Sequence, residues 1–275
     1  MKAFTQKLSG LLSASVLAVG LAVIAQPAAA QIVSSVHNLS SSGTVNTGAT
    51  TTQICVFCHT PHGGDATVPG APLWNRTLQV LTYDPYLSST MDGLAAVDNG
   101  VSLACLSCHD GNQARDNMLN GPGRGNAYTT NLAAFTPGPA NSLNLGTDLS
   151  NDHPIGMPYC GATTAANFLA GTCLDDTMTT TTTEGSAATR YWINTDATPA
   201  SFTKLDLPLY GLSGGTGITV ECATCHDPHS PANGTFLRVG NGDRINSTTF
   251  ALTTVLAGST VRGTPSGLCL TCHAK

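Results

Sequence analysis

Lysine is almost missing from this chain. Four occur in 275 residues (Lys2, Lys7, Lys204 and Lys275), beside seven arginines scattered from Arg76 to Arg262. A nucleic-acid partner calls for a basic stripe or patch; with a formal net charge of −5, the chain has none to offer. Charged residues are 10% and aromatic residues 5% of the chain. That is thin material for the core of a domain this size, so something other than side chains is expected to supply buried mass. No apolar run reaches the ~20 residues of a membrane-spanning helix. The nearest is Leu11 to Ala25, which follows Lys2 and Lys7 and ends at Ala28-Ala29-Ala30. A positive start, a short apolar run and small residues at its end make residues 1–30 a secretory signal peptide, with Gln31 as the mature start. No cysteine lies near the cut, so no lipid anchor is indicated there. The product is expected to be exported and soluble.

Ser, Thr, Asn and Gly fill the space that charge leaves, including the Thr-rich tract 177–183. Glycine and proline punctuate nearly every segment, and apolar periodic stretches are too few for a sheet or bundle. The expected fold is mostly irregular, coil with a few short helices.

Cysteine is plentiful. Ten in an exported chain ordinarily mean five disulfides, but their spacing says otherwise. Cys55-Val56-Phe57-Cys58-His59, Cys105-Leu106-Ser107-Cys108-His109, Cys222-Ala223-Thr224-Cys225-His226 and Cys269-Leu270-Thr271-Cys272-His273 are four copies of C-x-x-C-H. On a helical turn, positions i, i+3 and i+4 share a face. Two thiols can then reach the two vinyl groups of one porphyrin while the histidine points at its iron, which is the pattern of covalent haem attachment. A random chain of this composition would hold about 0.01 such motifs. The competing reading is a zinc ribbon. It fails on the long gaps between pairs and on the histidine that follows every pair. The cofactor reading is therefore four haems c per chain.

Eight histidines are present. His59, His109, His226 and His273 are the proximal ligands, leaving His37, His62, His153 and His229 as four distal ligands for four irons. His62 and His229 recur in the same context, Cys58-His59-Thr60-Pro61-His62 and Cys225-His226-Asp227-Pro228-His229. The proline should break the helical turn and send the second imidazole to a different iron. A lone spare histidine is more often an ordinary surface or core residue, but the count and the repetition favour ligands. Met157 is the competing axial candidate, although the methionines keep no consistent relation to the motifs.

The features repeat in order. A histidine, a C-x-x-C-H-x-P-H and a plain C-x-x-C-H occur at His37, Cys55 and Cys105, then at His153, Cys222 and Cys269. The motifs stand 50 residues apart in one half and 47 in the other, while the upstream histidine stands 18 and 69 residues before its motif. The reading is one tetrahaem domain, 31–275, of two dihaem pseudo-repeats, about 31–150 and 151–275, with an insertion at about 157–210. Cys160 and Cys173, left over inside the insertion, are expected to form a disulfide in an oxidising compartment. The alternative is two free thiols.

Ser34-Ser35-Val36-His37-Asn38-Leu39-Ser40, Cys55 to His62, and Asp152-His153-Pro154-Ile155-Gly156 resemble the doubled C-x-x-C-H multihaem c-type cytochromes, and among them the extracellular tetrahaem members that polymerise into conductive filaments. The resemblance touches both halves and all eight histidines, but not the insertion around 177–183. It implies a continuous row of haems and one iron ligated by a neighbouring subunit's histidine. Its implied partners are further copies of the chain, redox-partner cytochromes and extracellular electron acceptors. A surface nearly free of lysine suits lasting self-association better than the charge-steered encounters of a shuttle. Irons saturated by two imidazoles leave no position for substrate, so an electron carrier is expected and not an enzyme. A monomeric periplasmic or secreted shuttle and a haem reductase of oxyanions are the alternatives. For the joint between subunits, His37, close to the mature start, is the expected donor and His62 the runner-up.

Overall fold

The computed structural model describes residues 30–273 apart from 45–49, 69, 80, 98–99, 113–116, 123–142, 162–173, 176, 180–181, 184–189, 196–200, 212–217, 232, 234, 241–243, 246–251 and 254–266. The leader and Cys173 lie outside the described residues.

Helices are short. They are α1 (Ala30–Val33), α2 (Ser102–His109), α3 (Cys222–Cys225) and α4 (Gly267–Cys272), with a 3-10 turn at Cys55–Phe57. The last three helices and the 3-10 turn each carry one of the C-x-x-C-H motifs. None of the described helices is long and apolar enough to cross a membrane. Much of the remaining backbone is turn and loop, in line with its glycine and proline content.

The second half departs from the expectation that no sheet would form. Strands β3 (Met157–Pro158), β4 (Thr182–Thr183), β5 (Tyr191–Ile193), β6 (Leu207–Gly211) and β7 (Ile218–Val220) make an antiparallel sheet in the order β3-β7-β6-β5-β4. Its sequence basis is three short runs of aromatic, β-branched and leucine residues, Tyr191-Trp192-Ile193, Leu207 to Tyr210 and Ile218-Thr219-Val220, which suit a half-buried pleated surface. Pro208 is tolerated within β6 because residues 207–209 pair only with β5, and pairing with β7 begins at Tyr210. Tyr159, Cys160, Ile193, Leu207, Leu209, Ile218, Val220 and Val239 form its core. The expected insertion is thus a small folded platform, and its last strand runs directly into the third attachment motif.

The first half has no comparable sheet among the described residues. Its one strand pair joins β1 (Asp84–Pro85) to β2 (Asp148–Leu149) in parallel. A second apolar cluster, Val68, Ala71, Trp74, Val101 and Ala104, is extended by Tyr210 and Ala223 from the other half. The halves are also joined by a buried polar knot. Glu221, 1% exposed, accepts the Ser102 hydroxyl and the Thr219 hydroxyl (2.9 Å), and Cys222 N–H donates to Ser102 Oγ at 3.0 Å. Any side chain at Gly100 would collide with the Glu221 carboxylate. The knot fastens the start of α2 to the start of α3, and so the second motif to the third.

Candidate haem-attachment site

Each attachment motif closes as a tight turn. His59, His226 and His273 donate their backbone N–H to the carbonyl of the first cysteine, Cys55, Cys222 and Cys269, at 2.8, 3.0 and 2.9 Å. The fourth histidine, His109, ends α2. These i to i+4 bonds bring both thiols and the imidazole to one side of the turn.

The motifs also follow one another in space. Burial pushes the Cys58 thiol up to about 12, and Cys108 of the second motif adds to the effect. Cys105 donates a hydrogen bond to Cys222 of the third motif, which raises Cys105 and lowers Cys222. Burial pushes Cys225 up to about 11, helped by Cys222 and by Cys269 of the fourth motif. None of the eight motif cysteines is in a disulfide, whereas Cys160 is disulfide-bonded.

The imidazoles are pinned through Nδ1. His59 bonds Pro72 O at 2.8 Å, His109 bonds Leu143 O at 2.9 Å and His226 bonds Thr235 O at 2.7 Å. Among the distal candidates, His37 bonds Pro228 O at 3.3 Å and His153 bonds Pro154 O at 3.0 Å. A carbonyl can only accept, so each Nδ1 carries a proton, and in the neutral ring Nε2 is then the nitrogen with the lone pair. A hydrogen bond of this kind on the other ring nitrogen orients a metal-ligating histidine. Burial holds His37 below its ordinary pKa, with His109, His229 and His226 adding to the shift. His37 is therefore neutral, as a ligand must be.

Two imidazole pairs face each other. The ring centres of His59 and His229 are 6.1 Å apart and those of His37 and His109 are 6.3 Å apart. A metal held about 2 Å from a nitrogen of each ring keeps the ring centres roughly 6 Å apart. Face-to-face contact is closer, as between His37 and Phe236 at 4.2 Å and 11°. Each facing pair joins one proximal and one distal histidine, so the donor set, tautomers and spacing fit bis-histidine haem. Among the described residues, no three His, Cys, Asp or Glu side chains cluster as a direct metal site.

His37, the expected donor to a neighbour, lies beside His109 of its own chain with the two rings at 64° to one another. Of the other histidines, His62, His153 and His226 are exposed, and His226 lies close enough to His37 to act on its pKa. His273 is partly buried in a bridge with Met178. Met157 packs against the sheet core.

The turns after the first and third motifs are built alike. Asn75 and Arg238 donate their backbone N–H to Cys58 O and Cys225 O, both at 2.9 Å. Thr60 and Asp227 donate theirs to Leu73 O (2.9 Å) and Phe236 O (2.7 Å). The side chains of Asn75 and Arg238 reach Val56 O (2.6 Å) and Ala223 O (3.1 Å), the same position of each motif. Leu73 and Phe236 even share a left-handed backbone, φ 56° and 59°, which for bulky residues is uncommon and costs roughly 1–2 kcal/mol. The same bonds thus recur in two loops whose sequences, Pro72-Leu73-Trp74-Asn75 and Thr235-Phe236-Leu237-Arg238, have no residue in common. Nothing in the sequence marked the carbonyls of Pro72, Leu143 and Thr235. Asp227, inside the third motif's H-x-P-H, was visible, but its contact with His229 was not.

No protein-family model matches the chain, and no curated protein matches it.

Proposed function

We propose that this chain is an exported multihaem c-type cytochrome that carries electrons through four bis-histidine haems, and that its copies join into extracellular filaments. The observation that supports this most directly is the pair of facing imidazoles, His59 with His229 and His37 with His109, at the spacing of a shared metal. Each joins an attachment motif to a histidine far away in sequence. Haem, when bound, supplies a one-electron couple whose potential its ligands and surroundings set.

The chain's own contribution is positional. The motifs lie in the order one, two, three, four, through Cys58 beside Cys108, Cys105 bonded to Cys222, and Cys225 near Cys269. The Glu221–Ser102 knot holds the middle of that row. A haem held between two of these imidazoles would have no position left for substrate, which favours an electron carrier over a reductase.

The joint follows from the repeat. In the second half, the turn after motif three caps the first half: His229 faces His59, Pro228 O holds His37, and Phe236 stacks on His37. Pro228 and His229 remain exposed, as do Pro61, His62 and Leu73 of the matching turn of the first half, and His226 and His153. Repeating the internal contact between chains would place His62 of one copy opposite His226 of the next. Such a head-to-tail contact does not close on itself and builds a filament. Negative-stain microscopy of the purified secreted protein tests this. Filaments are expected, and uniform single particles at high concentration would replace the polymer with a shuttle.

A further inference from the structure

Five of the axial imidazoles rest their Nδ1 on neutral backbone carbonyls, at Pro72, Leu143, Thr235, Pro228 and Pro154. His229 differs. Its Nδ1 lies 3.4 Å from Oδ1 of Asp227, whose side chain is 11% exposed. The same oxygen accepts the His229 backbone N–H at 3.0 Å, so the carboxylate is locked to that one residue. The other carboxylate oxygen looks towards Arg238, whose Nη1 is 3.9 Å away. In the matching turn of the first half this position is Thr60, a neutral residue whose hydroxyl donates to His62 O at 2.9 Å.

Resting on the haem reading above, we propose that Asp227 is a positioning residue that makes the site of His59 and His229 the lowest-potential point of the row. A carboxylate accepting the Nδ1 proton gives the imidazole more imidazolate character and a stronger bond to the oxidised metal. Its negative charge, nearly out of water, also favours the ferric state. The neighbouring site of His37 and His109, with carbonyls on both imidazoles, lacks both effects. The step down in potential is thus built into one end of the row, and electrons leave the His59/His229 site towards the second motif more readily than they enter it.

The test is a spectroelectrochemical titration of full-length secreted protein, wild type against Asp227→Asn, with haem content measured by pyridine haemochrome. The variant is expected to keep four haems while its lowest midpoint rises by about 59 mV, a tenfold change for a one-electron couple. The other midpoints stay in place, and one low-spin paramagnetic resonance signal shifts. Four retained haems with every midpoint unchanged would overturn the proposal. If Asp227→Asn lacks a full haem complement, Asp227→Thr, the residue of the matching turn, is titrated instead against the same two outcomes. A wild-type protein without covalent haem would instead refute the cytochrome reading itself, and the two failures are separable.

Discussion

The turn from His59 to Asn75 and the turn from His226 to Arg238 share their hydrogen bonds and even a strained left-handed residue, yet they are used differently. The second lies against the first half, where His229, Pro228 and Phe236 meet His59 and His37. The first presents His62 and Leu73 outward, Leu73 being 53% exposed. Its own partner is Asn120, whose side-chain amide donates to His62 O and Gly63 O, both at 3.1 Å. The halves differ again in support: the second turn stands beside a five-stranded sheet with its own core, whereas the first has only the small cluster around Trp74.

The largest effect should come from removing the motif by which the first half is fastened to the second. Cys105→Ala with Cys108→Ala strips the motif on α2, which the Glu221 knot ties to α3. With 5% aromatic residues, the chain has little else to offset its conformational entropy. Degraded or unfolded protein is expected on gels of the secreted fraction, and a protease-resistant three-haem species in good yield would break the link between halves. Equivalent changes in the two turns should then diverge. His62→Ala is expected to keep four haems but give single particles under the microscope. His229→Ala is expected to keep filaments while one iron turns high-spin. Matching outcomes would mean that the turns are used alike.

Trp192→Ala probes the sheet alone. Trp192 is fully buried, and its loss is expected to cost about 3–5 kcal/mol in thermal unfolding with the haem count unchanged. The smallest effect belongs to Phe236→Leu, which copies Leu73. It removes the stack on His37 and should lower stability by no more than about 1.5 kcal/mol, read from the same melts.

The four C-x-x-C-H motifs stand out in the sequence because thiol and imidazole spacing is local: five residues make up each one. The duplication was legible for the same reason, as ordered motifs at similar separations. The partners of the distal histidines were not, since His37 meets a carbonyl 191 positions away and nothing in a linear pattern encodes that. Its place near the mature start suggested a free arm, but Asn38 and Ser40, both buried and hydrogen-bonded to one another, hold the segment in a compact turn. The sheet was missed because its strands span two to five residues and are separated by Thr- and Gly-rich chain, so no single run shows a convincing period. Tyr191-Trp192-Ile193 was the signal available.

Quantitative electron paramagnetic resonance of the oxidised secreted protein, with spins counted against chain concentration, bears most directly on the central claim. Four low-spin ferric centres per chain, each with the signature of two imidazole ligands, are the expected result. A substantial high-spin fraction in well-folded filaments, or fewer than four centres per chain, would contradict it.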